Sequence, residues 1–419
     1  MISHKRLTIG LFGFGVVGEG IYQVLLQTPS LNASIKKVCI KHPEKKRNAD
    51  VSLFTTDYNE ILNDPEINLI VELIDDADEA YKIVTTALKS KKSVVSANKK
   101  MIAEHFAELI FLQQEHDVSF LYEAAVCGSI PIIRNLEEYY DNDLLQSISG
   151  IVNGSTNYIL TKIGEGLNYK EALLQAQQLG FAESNPKLDV EGIDAVNKLT
   201  ILLAHAYGVI SKPGDHVRIG ITRLQEADAN FAKEKNYAIK LTAQTIKLSN
   251  GKVAAFALPQ FIKNDSQLFN VKNEYNGVII ESKLADKQFL YGKGAGRFPT
   301  SSAVISDISA LTYDYRYEYK KISRHEQYVL TNNYFLRVYV SFNDWAEVNR
   351  WDFEKVFESH STDERQYITG LIQVDKLKNA KWFNDPTVSI ILLPEAVTEK
   401  EDVVAETLKK VSLQLAGVN

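Results

Sequence analysis

Asp189-Val190-Glu191-Gly192-Ile193-Asp194-Ala195-Val196-Asn197-Lys198 gathers three carboxylates and one lysine, and an apolar run over 199–204 follows. If a helix begins here, Glu191, Asp194 and Lys198 fall at i, i+3 and i+7 and share one face. A lysine held among acids on a rigid element can orient a small zwitterion and exchange a proton with it. The same spacing also describes a solvated helix face with one i,i+4 ion pair. A second lysine, Lys99, closes the stretch Ser96-Ala97-Asn98-Lys99 behind a strand at 92–96. In open α/β sheets ligands bind beyond the carboxyl ends of strands, so Lys99 is placed to face a substrate. Its alternative is a solvated lysine after a helix-initiating Asn98. Asn153-Gly154-Ser155-Thr156-Asn157 packs small hydroxyl and amide groups into a turn before a helix. The free N–H groups there suit a carboxylate or a carbonyl oxygen.

These residues need elements to position them. Residues 7–12 form a short apolar run, and Gly13-Phe14-Gly15-Val16-Val17-Gly18 follows at once, ahead of a helical pattern at 19–27. This is G-x-G-x-x-G between a strand and a helix, the context in which the motif holds a dinucleotide. Gly13 permits the tight turn, Gly15 lets backbone approach a pyrophosphate at the helix N-terminus, and Gly18 allows helix to pack on strand. The second strand, 37–40, runs into Lys41-His42-Pro43-Glu44-Lys45-Lys46-Arg47. An acid for the ribose 2′-hydroxyl is missing and cations are plentiful. That favours NADP over NAD, with Lys41 as the reader of the 2′-phosphate; residues 45–47 equally suit a basic surface loop. A strand at 68–74, a helix at 79–90 and a strand at 92–96 continue the alternation, which predicts a doubly wound parallel sheet.

The totals agree with a globular protein of two or three domains. The chain has 419 residues, 45% hydrophobic and 24% charged, enough for a packed core. A net charge of −6 argues against nucleic acid as a partner. Two cysteines, Cys39 and Cys127, exclude a disulfide framework and fit a reducing cytoplasm. No apolar stretch reads as a signal peptide or a membrane span.

Taken together and in order, Gly13 to Gly18, Ser96 to Lys99, Glu123 to Pro131, Asn153 to Asn157, Glu183, Asp189 to Lys198 and Gly292-Lys293-Gly294-Ala295-Gly296 resemble homoserine dehydrogenase. The likeness spans roughly residues 7 to 310. It implies NAD(P)-dependent, reversible reduction of L-aspartate 4-semialdehyde to L-homoserine, and a homodimer or homotetramer. The implied fold is a Rossmann domain over 1–135, completed by 297–320, and an α+β catalytic and dimerisation domain over 136–296. Lys99 and Lys198 match the two active-site lysines. Glu183, Asp189 and Asp194 match the acids that bind or position the substrate, beside Asn153, Gly154 and Thr156. The motif from Gly13 to Gly18, Lys41, Ser96, Gly294 and Gly296 would hold the cofactor. Glu123 with the carbonyls of Val126, Gly128 and Ile130 resembles the family's Na+ or K+ site. The sequence departs from the family at Asp75 and Asp76, which stand where two glycines are usual, and at Cys127 and Ser129. With no kinase-like segment ahead of residue 1, the expected form is the monofunctional one.

In the chemistry, the nicotinamide gives the hydride and a lysine ammonium gives charge and a proton to the aldehyde oxygen. Burial favours release of that proton and a neighbouring acid favours its retention. Lys198 would thus be the donor itself, or a clamp beside which water relays the proton. Cys127 could be a thiol nucleophile only with a base partner, and the sequence offers none; a small buried packing residue is the stronger reading. A non-catalytic NADP-binding regulatory protein of the same fold is the competing reading, and a dehydrogenase of another amino-acid semialdehyde is a third. Residues 313–324 read as a linker. Beyond it, strand 334–341, helix 352–358, strands 367–374 and 388–393 and a helix at 399–416 predict a small ACT-like α+β domain over 325–419. Residues 343–347 lack the glycine of an effector-binding turn, so amino-acid feedback and a purely structural or dimer-forming tail both stay open.

Overall fold

The protein is described by a computed structural model covering residues 5–142, 144–324, 327–362 and 366–399. It divides into two compact units. Among the described residues, the first holds those up to 144 together with Thr200–Pro213 and those from Leu290 to 327; the second holds those from 145 to Leu199, Gly214–Phe289 and those from Tyr328 to 399.

In the first unit six parallel strands, β1 (Leu7–Phe12), β2 (Ala33–Cys39), β3 (Phe54–Thr55), β4 (Leu69–Glu72), β5 (Ser93–Ser96) and β6 (Phe120–Leu121), lie in the order β3-β2-β1-β4-β5-β6. This is the Rossmann order, with its switch point between β1 and β4. The central strands are continuous apolar runs because helices cover both faces: Ile9, Leu11, Leu69, Val71, Val94 and Val95 are fully buried. The helix Arg297–Leu311 belongs to the same unit. Arg297 pairs with Glu19 at 2.9 Å, and Ser301 Oγ donates to the Val17 carbonyl at 3.2 Å. A Cβ at Gly20 would come within 2.5 Å of Ser301 Oγ, so the absence of a side chain there allows the close approach. Residues 313–324 are not a linker. Tyr317 and Tyr319 are buried, and Lys321 Nζ donates to the carbonyls of Leu136 (2.5 Å) and His205 (2.7 Å).

The second unit is built on a long mixed sheet. Its strands are β7 (Leu145–Ile151), β8 (Val217–Arg218), β9 (Tyr237–Lys247), β10 (Lys252–Lys263) and β11 (Tyr275–Ser282). β12 (Asp286–Lys293) carries the chain back to the first unit. Then come β13 (Val329–Leu330), β14 (Phe335–Phe342), β15 (Lys355–Ser361), β16 (Gln366–Gln373) and β17 (Ser389–Thr398). The order across the sheet is β12-β11-β7-β9-β10-β17-β14-β16-β15, with β8 and β13 also on β10. Pro259 lies within β10. It sits opposite Leu241, between the residues that pair with β8 and the Gln260 bridge to β17.

The expected separate tail domain is part of this unit. Phe256 and Leu258 share one core with Tyr334, Leu336, Val338, Val340, Ile390 and Trp382. The expected helix at 352–358 is instead strand β15, paired antiparallel to β16 with a bulge between Val356 and Glu358. Its β-branched and aromatic residues on a half-exposed edge favour that outcome. Among the described residues the order after β13 is strand, strand, strand, helix (Val374–Asn379), strand. It leaves the ACT-like order at its second element; the helix expected at 399–416 lies outside the described residues. Among those residues no helix is long and apolar enough to cross a membrane.

One buried group makes a stability prediction. Burial pushes the His216 imidazole down to about 4, against the pull of Asp215 and the Ala255 backbone. In the unfolded chain it titrates near about 6.5. Its contribution is therefore complete above the unfolded value and is lost as pH falls toward the folded one. Between about pH 7 and about pH 5 the loss is roughly 2 kcal/mol. Urea unfolding of wild type and His216→Phe at both pH values checks this: the wild type should lose more stability than the variant by that amount. Equal losses would contradict it.

Candidate active site

The dinucleotide turn follows β1. Gly13 has φ +94°, and a Cβ there would lie 2.8 Å from the Leu73 carbonyl oxygen, so only glycine fits. A Cβ at Gly18 would lie 2.3 Å from the Gly13 carbonyl. Gly15 is the N-cap of the helix Val16–Gln27 and has open space above it. No side chain caps that helix, so its first amides are presented to whatever occupies the turn. Phe14 packs edge-on against Phe54 and Tyr22, which fixes the turn, while Val16 remains exposed. Val17 offers its carbonyl to Ser301. Lys41 is exposed just past β2, near enough to Asp76 to help hold that carboxylate low, after the Asp78 and Glu79 amides that dominate. Asp76 is the N-cap of the helix Ala77–Lys89, accepting from the amides of Asp78 and Glu79, both at 3.0 Å. That capping role accounts for an acid at position 76. Beside β2 lies an open groove of about 630 Å³ that includes Ile40, Lys45, Lys46, Arg47 and Phe54. Arg47 is fixed over the Phe54 ring, 5.5 Å from its centroid, and donates to the Lys45 carbonyl.

Ser96 and Lys99 flank the carboxyl end of β5. Ser96 is fully buried and donates to Glu72 Oε2 at 2.6 Å. Asn98 caps the helix Lys99–His116 by accepting from the Met101 amide at 3.0 Å, which puts Lys99, half-buried, at the first helical position.

The acids and Lys198 meet in the second unit. Gly192, at φ +72°, separates the short helix Lys187–Val190 from the helix Ile193–Tyr207. Glu191 is therefore not on the expected shared face; its carboxylate accepts from Thr222 and its carbonyl from Arg218. Asp194 and Lys198 do pair, at 2.7 Å, and both are buried. Lys198 Nζ also donates to the Val152 carbonyl at 2.6 Å. Asn153 caps the helix Gly154–Gly164, its Oδ1 accepting from the Thr156 amide (2.9 Å) and hydroxyl (3.0 Å). Its Nδ2 donates to Asp189 at 2.7 Å and to Asp194 at 2.8 Å. With both N–H groups spent, the Asn153 amide orients two acids. A Cβ at Gly154 would lie 2.6 Å from the Glu274 carbonyl, so glycine is required at the helix start. Glu183 lies exposed in the loop before Lys187–Val190, where its carbonyl accepts from Gln177. Its carboxylate is outside the hydrogen-bonded cluster described for Asp189, Asn153, Asp194 and Lys198.

In the first unit Glu123 is buried and accepts from the amides of Ile133 and Arg134, both at 2.9 Å. Its amide donates to Asp307, which Arg134 pairs at 2.7 Å. Burial raises both carboxyls, Asp307 to about 7. Cys127 (φ +58°) and Gly128 (φ +52°) form the left-handed turn between Val126 and Ile130, and Cys127 is fully buried. A Cβ at Gly128 would lie 2.6 Å from the Gly294 carbonyl, and Ser129 N donates to the Lys293 carbonyl at 3.1 Å. Gly292 is in β12, so the glycine loop is limited to 294–296. Gly296, at φ +117°, opens the helix Arg297–Leu311. No group of three or more His, Cys, Asp or Glu arranged to hold a metal ion occurs among the described residues.

Residues 131–309 match the family model for homoserine dehydrogenase, and residues 13–123 match the model for the homoserine dehydrogenase NAD binding domain. The homoserine dehydrogenase of Bacillus subtilis is 35% identical over 322 residues, 74% of each chain. That of Synechocystis is 37% identical over 311 residues, 72% of each. The chain belongs to the homoserine dehydrogenase family. The fold agrees: a homoserine dehydrogenase from Thiobacillus denitrificans superposes with TM-score 0.79 at 28% identity, covering 93% of this chain and 98% of that one. A hyperthermophilic archaeal homoserine dehydrogenase mutant in complex with NADPH gives TM-score 0.65 at 26% identity, covering 75% and 100%.

Seen as a homoserine dehydrogenase, the chain holds buried polar groups that the sequence reading passed over. Lys240 is buried, and its Nζ donates to Asn157 Oδ1 at 2.9 Å and to the Val271 carbonyl at 2.6 Å. Burial pushes it down to about 7. A neutral amine has two N–H groups for those two acceptors, so the tie to the helix Gly154–Gly164 survives loss of the proton. The remaining signal for such residues is a lone charge in an apolar strand, as at Lys240 in β9 and Glu72 in β4.

Proposed function

We propose that this chain reduces L-aspartate 4-semialdehyde to L-homoserine, and runs the reverse, with NADP as its preferred nicotinamide cofactor. The observation that carries this is the state of Lys198. Its ammonium has three N–H groups, and two are committed, to Val152 and Asp194. The third is left to donate to the aldehyde oxygen and to stabilise the alkoxide as hydride arrives. The bound dinucleotide supplies that hydride. Asp194 is held by Asn153 and so keeps Lys198 in one rotamer. Asp189, half-buried on the same amide, has lone pairs remaining for the substrate ammonium. The amides of Gly154 and Ser155, at a helix start, suit the substrate carboxylate. Lys99 is assigned as the second active-site cation, and Glu183 as a further acid that binds or positions the substrate. The turn from Gly13 to Gly18, with Ser96, Gly294 and Gly296, would hold the dinucleotide. A Na+ or K+ ion would take the carbonyls of Val126, Gly128 and Ile130, with Glu123 supplying charge from its place at the amides of Ile133 and Arg134.

Mixing the protein with NADP+ and L-homoserine and following absorbance of the reduced nicotinamide tests the reading. Turnover is expected, and a rise absent with homoserine but present with another hydroxy amino acid would replace the substrate. For the cofactor, Lys41→Asp is expected to lower the ratio of kcat/KM for NADP+ over NAD+ by about tenfold, the loss of about 1.4 kcal/mol of phosphate recognition. An unchanged ratio would assign the 2′-phosphate to the Arg47 groove.

A further inference from the structure

We propose that Glu72 is a positioning residue of this enzyme, whose buried carboxylate fixes the direction of the Ser96 hydroxyl and, through it, the Ala97-Asn98-Lys99 turn. The inference rests on the proposed reading of Ser96 and Lys99 as parts of the reaction site. Glu72 ends β4 and Ser96 ends β5, and the two are register partners on neighbouring parallel strands. Both are fully buried. Ser96 Oγ donates to Glu72 Oε2 at 2.6 Å, and the Ile74 amide donates to Glu72 Oε1 at 2.7 Å. The Asn98 amide donates to Ser96 Oγ at 3.1 Å, and Asn98 Nδ2 donates to the Ile74 carbonyl at 3.1 Å. The Ala97 amide donates to the Glu72 carbonyl at 3.2 Å. These bonds close a ring over the ends of two strands, and Lys99 is the next residue out.

Packing does not explain an acid here. A buried carboxylate is costly unless every lone pair it needs is served, and an apolar side chain would fill the strand position at less cost. Ionised, as it is above about pH 7, the carboxylate does what other groups cannot: it only accepts. The Ser96 proton must point inward to it, so the hydroxyl turns its acceptor side to the Asn98 amide and to the carboxyl end of the sheet. A glutamine at this position would present N–H groups to Ser96 and reverse the hydroxyl. Burial pushes the Glu72 carboxyl up to about 7, Asp75 adds to the rise, and Ser96 and the Ile74 amide draw it back.

The test uses the full chain, with Glu72→Gln, Ser96→Ala and the double variant. Melting of the proteins without ligand, calorimetric titration with NADP+ and steady-state homoserine oxidation are measured on each above the pH at which Glu72 ionises. Glu72→Gln is expected to melt within about 3 °C of wild type, to bind NADP+ several-fold more weakly and to lose kcat about tenfold with homoserine KM unchanged. The double variant should be no worse than the poorer single one, because both act through one hydroxyl. Wild-type binding and rates in Glu72→Gln, losses that multiply in the double variant, or a lower melting point with unchanged kcat would each overturn the proposal. If the wild type itself fails to oxidise homoserine, the functional reading fails, and the NADP+ titrations alone still decide the role of Glu72.

Discussion

Replacing Lys198 with alanine is expected to lower kcat for homoserine oxidation by about a thousandfold, with NADP+ binding held within about threefold. The amine is bonded to both the Val152 carbonyl and Asp194, and in the proposed reaction alanine removes both the proton route and the charge that would face the alkoxide. Stability also falls, because Asp194 stays buried without its counter-ion. Breaking a buried pair costs about 3–5 kcal/mol, and the low end applies because Asn153 still donates to Asp194. Rates must therefore be taken well below the melting point of the variant, with calorimetry reporting NADP+ affinity. Turnover within about tenfold of wild type would remove Lys198 from the reaction.

Asp194→Asn carries the second large effect. Asparagine keeps the shape and one acceptor and removes the charge. Lys198 then remains buried without an anionic partner, and Asn153 loses one of its two anionic acceptors. The expected result is a fall in kcat/KM of about a hundredfold, with a melting point several degrees lower and a raised homoserine KM. A loss confined to stability, with normal rates for the folded protein, would make Asp194 a structural counter-ion and nothing more.

Much of this site is visible in the chain itself, for local reasons. Gly13, Gly15 and Gly18 show because each answers a steric demand within one turn, and the flanking strand and helix have clear periods. Asp194 and Lys198 show because an i,i+4 pair needs only one helix. Glu191 misled because a single glycine at φ +72° ends one helix and starts another, which the acid spacing does not record. Strand β15 misled because an edge strand lacks a strict alternation, and its pairing with β16 is what selects the extended form. The ring around Glu72 was hidden because its partners come from β4, β5 and the turn after them, and only the sheet register brings them together. The tail was read as separate because its fusion with the core depends on β17 lying between β10 and β14, a non-local pairing.

The most direct measurement is a crystal structure of the protein with L-homoserine and NADP+ bound. The account predicts Lys198 Nζ within about 3 Å of the substrate hydroxyl oxygen, with the Val152 and Asp194 bonds intact. A substrate whose hydroxyl is served by another donor, with Lys198 turned away, would contradict it.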